Sequence, residues 1–244
     1  MKIGKLRTLW IILLSALYIA NTCGQSILMQ MRKKTTRRWV DITVQKWAKR
    51  VLKLVDVKCL VVNPNKIEPN PGQATIIMCN HSSLYDIPLS FSAFPKHSIR
   101  MLAKKEFAKI PIMGQGMVAA EFPFIDRHNR NQAMLDLDAI QRLLESGIVM
   151  WIAPEGTRSK NGKLGKFKKG AFITAIKANA MIIPIGIRGA NAILPARTLQ
   201  FNLGQTAEIH IGQPVDASKY SLDDKDALIE KVFTEMKTLI GESH

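Results

Sequence analysis

Ala74-Thr75-Ile76-Ile77-Met78-Cys79, followed without a break by Asn80-His81-Ser82-Ser83-Leu84-Tyr85-Asp86, decides how the rest of the chain reads. Ile76, Ile77 and Met78 lie in a short apolar run of strand length, the pattern of a buried strand. Asn80 and the two serines end that run, so His81 belongs to a turn at the strand's carboxyl edge. In open α/β sheets ligands bind at that edge.

Asp86 follows His81 by five positions, whereas side chains that meet on one helix are three or four apart. A turn must therefore bring the two together. A carboxylate that accepts a hydrogen bond from one imidazole nitrogen fixes the tautomer and leaves the other nitrogen as a base. Such a dyad suits removal of a proton from an alcohol as its oxygen attacks an acyl carbon. Ser82 and Ser83 raise a rival, a Ser-His-Asp hydrolase that carries the acyl group itself. Against it, adjacent residues seldom align a hydroxyl with an imidazole, and the chain has no GxSxG elbow. In the plainest reading His81 merely caps the helix that follows.

Outward from this stretch, short apolar runs alternate with helical periodicity. The pattern predicts strands over 57–62, 74–79, 99–103, 121–125, 148–153, 182–187 and 207–211. It predicts helices over 84–94, 132–146 with Gly147 closing it, 169–179 and 223–240. The fold class is α/β, a single domain with a central, mostly parallel or mixed sheet flanked by helices. A chain of 244 residues is long enough to bury a substantial core. Cys23, Cys59 and Cys79 form no CxxC pair, so neither a disulfide framework nor a zinc site is indicated. His97, His128, His210 and His244 show no ligand spacing with one another or with His81, so no metal is expected.

The formal charge is +16, and residues 1–70 hold 14 Lys and Arg against three acidic residues. Nucleic acid is a possible partner on charge alone, but the bases here interleave with long apolar stretches, which points to anionic lipid. Residues 9–20 form an apolar run broken only by Ser15, then come Asn21, Thr22 and Gln25, then Ile27-Leu28-Met29. A crossing needs about 20 mostly apolar residues, so 9–31 either spans a bilayer or dips into one leaflet. A cleaved signal peptide is the alternative, opposed by the lack of an A-x-A site and the immediate return of positive charge. From Trp39, apolar residues recur at Val40, Val44, Trp47, Val51 and Leu54 with lysines and an arginine between them, an amphipathic basic helix over 38–56. Its stripe fits packing on the catalytic domain or an interfacial role, and the two tryptophans favour the interface. The division is thus 1–56 membrane-binding helices and 57–244 catalytic domain.

Two later stretches repeat the passage from apolar strand to polar turn. Phe122-Pro123-Phe124-Ile125 leads into Asp126-Arg127, and residues 148–153 lead into Pro154-Glu155-Gly156-Thr157-Arg158-Ser159. A guanidinium grips phosphate through two parallel hydrogen bonds, and Gly156 lets backbone approach an anion closely. Lys104 and Lys105 open a short helical stretch, where positive charge opposes the helix dipole unless an anion lies nearby. Residues 160–169 carry five lysines with two glycines among them, a mobile basic loop fit for coenzyme A phosphates, an acidic carrier protein or lipid head groups.

Taken together and in order, NHSSLYD, FIDR, PEGTRS and IIPIGI resemble the four motifs of the glycerolipid acyltransferase family, in particular its 1-acylglycerol-3-phosphate acyltransferases. AKKEFAKIPIMGQGM and GKFKKGAF also look like that family's text. The resemblance implies that His81 is the general base and Asp86 its support, and that acyl passes directly from acyl-coenzyme A or acyl carrier protein to lysophosphatidic acid. It implies that Arg127, Glu155, Gly156, Thr157 and Arg158, joined by Lys105, hold the acceptor's phosphate, with Glu155 positioning the cations. It associates Ile183, Pro184 and Gly186 with the acyl donor. No cofactor or nucleic acid is expected, membrane phospholipid is the expected surrounding, with the site at the cytoplasmic face, and nothing in the sequence sets an oligomeric state. An enzyme acting on glycerol 3-phosphate or another lysolipid, and a non-catalytic phospholipid-binding scaffold, are the alternatives.

Overall fold

The computed structural model describes residues 3–126 and 128–242. The chain opens with two helices, α1 (Lys5–Met31) and α2 (Arg37–Leu54), joined by a turn whose Thr36 side chain accepts from the Trp39 N–H and starts α2. Then follow β1 (Lys58–Val62), β2 (Thr75–Cys79), α3 (Asp86–Ala93), β3 (Ile99–Met101) and β4 (Ala103–Lys104), and a 3₁₀ turn over Lys105–Lys109. The middle of the chain forms α4 (Met113–Ala119), β5 (Phe124–Ile125), α5 (Arg130–Glu145) and β6 (Val149–Ile152). The last part forms α6 (Lys169–Lys177), β7 (Met181–Arg188), α7 (Ala190–Ile193), β8 (Thr206–Ile211), β9 (Val215–Asp216) and α8 (Lys225–Ile240).

The main sheet runs β1-β8-β7-β2-β6-β3, with β9 added beside β7. Its central pairs, β2 with β6 and with β7, are parallel, whereas β7 meets β8 antiparallel. β2 is buried at all five positions, which is why its apolar run shows no alternation with polar residues. Ile77 and Cys79 pack on the α2 and α3 side, while Ile76 and Met78 pack on the side of α5, α6 and α8.

Three features depart from the sequence reading. The strand expected over 99–103 is broken at Leu102: β3 stays in the main sheet, and β4 leaves it to pair with β5 in a separate two-stranded ladder. α4 is an additional helix whose Gly114 and Gly116 hide its helical character. The apolar stripe of α2 faces inward: Val40, Val44, Ala48 and Val51 are buried in the cluster with Leu89 and Phe91, and Trp47 meets Phe91 edge-on at 6.3 Å. Packing on the catalytic domain, the alternative to an interfacial role, accounts for the stripe.

α1 spans about 40 Å at 1.5 Å per residue and is long and apolar enough to cross a membrane. Ile11, Cys23 and Ser26 are buried, and Leu6, Leu9, Trp10, Leu13 and Leu17 are exposed. Its contact with α4 is close enough that a Cβ on Gly116 would lie 2.3 Å from Cys23 Cβ and 2.5 Å from Cys23 Cα. A Cβ on Gly24, one residue along α1, meets nothing within 4 Å. Gly116→Ala is therefore expected to destabilise the protein by about 1–3 kcal/mol through overpacking. Gly24→Ala is expected to stabilise it by about 0.5–1 kcal/mol, because alanine loses less backbone entropy in a helix. Unfolding midpoints of the two variants in detergent should move in opposite directions.

Candidate active site

The carboxyl ends of β2 and β6 lie side by side, Met78 opposite Ile152, so the turns they feed are neighbours. His81 follows β2 in an extended turn, and Asp86 is the first residue of α3. The His81 Nδ1 to Asp86 Oδ2 distance is 2.8 Å, and the same oxygen accepts from the N–H groups of Ser82 (2.7 Å) and Ser83 (2.8 Å). Asp86 is fully buried, while the His81 side chain keeps 16% of its surface exposed. The ring is thus tied at Nδ1 and partly open to solvent, the arrangement a general base needs.

Neighbouring residues hold this turn. Asn80 Oδ1 accepts from the Ile187 N–H at 2.7 Å and its Nδ2 donates to the Ile187 carbonyl at 3.0 Å, which fastens the exit of β2 to β7. Ser83 Oγ donates to the Leu194 carbonyl at 2.8 Å, so that hydroxyl is spent on the fold rather than directed at the imidazole. Trp151 meets the His81 ring edge-on with centroids 6.0 Å apart. Neither Asn80's bond to β7 nor Trp151's contact is marked in the sequence, because both arise from strand pairing across distant segments. An amide-bearing residue directly after a fully apolar strand is the one local sign of the first.

The turn after β6 joins the dyad through its backbone. The Ser159 N–H donates to the His81 carbonyl at 2.7 Å. Glu155 is buried and grips two backbone N–H groups, His81 at 2.9 Å through Oε1 and Gly165 at 2.8 Å through Oε2. Burial holds the Glu155 carboxyl above its ordinary value, and those two N–H groups offset part of that rise. Its observed work is thus to splice the His81 turn to the basic loop. That loop is tethered rather than free: Gly165 is held by Glu155, the Lys168 N–H donates to Pro154 at 2.8 Å, and the Leu164 N–H donates to Glu242 at 3.1 Å.

Gly156 adopts φ +75°, a left-handed conformation suited to glycine, and its N–H is directed at the Ala153 carbonyl. Thr157 is exposed. Among the described residues the Arg158 guanidinium has no hydrogen-bond or ion-pair partner, and it sits one residue before the Ser159 link to His81. Arg127 lies outside the described residues. Its neighbour Asp126 accepts from the His128 N–H at 2.9 Å and the Asn129 N–H at 3.2 Å, and the first of these chiefly holds its carboxyl below the usual range. Lys105 Nζ lies 3.2 Å from Asp126 Oδ2, so the anion beside Lys105 is a protein carboxylate. The β4–β5 pairing is what brings the lysine pair beside Phe124, Ile125 and Asp126.

Ile183, Pro184 and Gly186 are buried within β7. Pro184 stands opposite Met78, and a Cβ on Gly186 would come within 2.6 Å of the Leu239 backbone, so this motif carries α8 against the sheet.

The Glu155 arrangement has a measurable consequence. Glutamine presents one acceptor and one donor, so Glu155→Gln leaves either the His81 or the Gly165 N–H facing an amide N–H. A part-buried N–H left without a partner costs about 1 kcal/mol, and unfolding in denaturant should show that loss.

Comparison with known proteins agrees with this geometry. A family model described as Acyltransferase matches residues 58–188, more than half of the chain. The chain is 30% identical over 173 residues to the human 1-acyl-sn-glycerol-3-phosphate acyltransferase alpha, covering 70% of this chain and 60% of that protein. It is 37% identical over 132 residues to the 1-acyl-sn-glycerol-3-phosphate acyltransferase of Cocos nucifera, covering 53% of this chain and 42% of that one. It thus spans less than two thirds of the length of these relatives. The crystal structure of the 1-acyl-sn-glycerophosphate (LPA) acyltransferase PlsC from Thermotoga maritima superposes with a TM-score of 0.76 at 26% identity, covering 98% of this chain and 97% of that one. With a sheet that sets NHSSLYD beside PEGTRS and a family match running from β1 through β7, the chain belongs to the Acyltransferase family.

Proposed function

We propose that the protein transfers a fatty acyl group from an acyl thioester, carried by coenzyme A or acyl carrier protein, to the sn-2 hydroxyl of 1-acyl-sn-glycerol 3-phosphate. The observation that carries this reading is the His81–Asp86 contact at the sheet's carboxyl edge, beside the turn of Arg158, whose guanidinium has no partner among the described residues. His81 takes the hydroxyl proton at Nε2 as the oxygen attacks the thioester carbon. The carbon–sulfur bond then breaks, and the leaving thiolate takes up a proton from the imidazolium, so the enzyme ends unchanged. No covalent acyl-enzyme is needed, in keeping with a Ser83 hydroxyl already committed to Leu194.

Arg127 and Arg158 hold the acceptor's phosphate in this reading, and Glu155 acts by fixing the turns on which Arg158 and His81 sit. The exposed leucines and tryptophan of α1 support a site at a membrane surface, and in this reading it faces the cytoplasm, where a lipid acceptor and a water-soluble donor both reach it. The names of the human, coconut and Thermotoga relatives support the acceptor.

The test is thioester-dependent acylation by the purified protein in detergent, with lysophosphatidic acid, glycerol 3-phosphate and monoacylglycerol as acceptors. Lysophosphatidic acid should be preferred, and His81→Ala should lower kcat by about 10²–10⁴, the usual contribution of a general base. Arg158→Ala should raise KM for lysophosphatidic acid and leave monoacylglycerol unaffected. Equal activity of His81→Ala and wild type would refute the mechanism, and preference for an uncharged acceptor would refute the phosphate assignment.

A further inference from the structure

Four charged residues far from His81 in sequence tie the second helix to the strand that ends in FIDR. Arg37 and Asp41 are one turn apart on α2 and share a face. Arg37 makes a two-pronged contact with Glu121, Nε to Oε2 at 2.9 Å and Nη2 to Oε1 at 2.9 Å, and also donates to Ser146 Oγ at 2.9 Å. Asp41 accepts from Arg100 Nη1 at 2.7 Å and from Ser98 Oγ at 2.6 Å. Arg100 is fully buried, donates through Nε to the Ala120 carbonyl at 2.6 Å, and lies 5.5 Å from the Phe122 ring centroid.

The points gripped are thus three successive residues, Ala120, Glu121 and Phe122. Glu121 sits at φ +62°, a strained conformation for a side chain of its length. Immediately beyond, the Pro123 carbonyl accepts from Ala103, and Phe124 and Ile125 pair with Ala103 and Lys104. β5 has only two residues and a single neighbouring strand, so the main sheet does not fix its place. The clamp on 120–122 holds its start, and α5 holds its end, where Asp136 Oδ2 accepts from the Asp126 N–H at 2.8 Å.

We propose that Arg37 and Glu121, backed by Asp41 and Arg100, are positioning residues for the acceptor's phosphate: docking of α2 helps set where β5 leads into Asp126, the residue that precedes Arg127 in the sequence. This rests on the reading above, in which that turn meets the phosphate. It also explains why an amphipathic helix whose stripe is spent on packing carries two further charged contacts on its edge. Through them the helix that follows the membrane-length α1 is coupled to the recognition of a membrane-borne acceptor.

Arg37 and Glu121 keep about a third of their side-chain surface, 36% and 34%, so exchanging them does not hollow the core. The experiment measures kcat and both KM values for Glu121→Arg, Arg37→Glu, the double exchange and Arg127→Ala, with lysophosphatidic acid and with monoacylglycerol. Each single exchange should raise KM for lysophosphatidic acid about tenfold, while kcat, the donor KM and the monoacylglycerol KM stay within about twofold. The double exchange should recover most of the loss, because the pair couples directly.

Equal changes in kcat and every KM, tracking a lower unfolding midpoint, would show a purely structural contact and overturn the proposal. An Arg127→Ala effect without a Glu121→Arg effect would overturn the clamp and leave the phosphate reading standing. No effect of Arg127→Ala would overturn the phosphate reading and the clamp with it.

Discussion

One carboxylate oxygen organises this protein's site. Asp86 Oδ2 is buried at the start of α3 and accepts from the Ser82 and Ser83 N–H groups and the His81 ring together. Burying a carboxylate costs several kcal/mol unless hydrogen bonds offset it, and bonds of 2.7–2.8 Å to a charged acceptor are the strong kind. The turn therefore has a single favourable shape, the one in which both serine N–H groups point back at Asp86. That shape sets the imidazole at the edge of the sheet. The position at the first turn of α3 also suits negative charge, since the helix dipole favours it there.

Everything else follows from where β2 ends. Parallel pairing with β6 and β7 brings three strand exits to one edge, and side chains that follow β2 and β6 bind the backbone of neighbouring segments: Asn80 to Ile187, Ser83 to Leu194 and Glu155 to His81. These are buried or part-buried side-chain-to-backbone bonds, which fix loops more firmly than surface ion pairs do. The result is a cross-tied carboxyl-edge platform with a partly exposed imidazole.

Much of this was legible in the chain. The apolar run of β2 reads as a fully buried strand, the glycine after α5 reads as its stop, and the HxxxxD spacing demands the turn that is found. Other features depend on long-range packing that local pattern does not carry. The break at Leu102 is silent because residues 99–103 read as one apolar run interrupted only by Arg100, and only pairing partners decide that β4 departs from the sheet. Gly116 disfavours helix by propensity, yet it is what lets α4 lie against Cys23 of α1. The α2 stripe shows that the helix is amphipathic without showing what it faces. Glu155 looks like part of an anion-binding turn, and its partners prove to be two amides from other loops.

The central claim is that an imidazole held by Asp86 moves acyl in one step between two substrates present together. Initial rates measured while both the acyl thioester and lysophosphatidic acid are varied test it most directly. Reciprocal plots that intersect, with no thiol released in the absence of acceptor, are the predicted result. Parallel lines, with a stoichiometric burst of thiol and an acylated protein before acceptor is added, would contradict it, because they report a covalent enzyme intermediate.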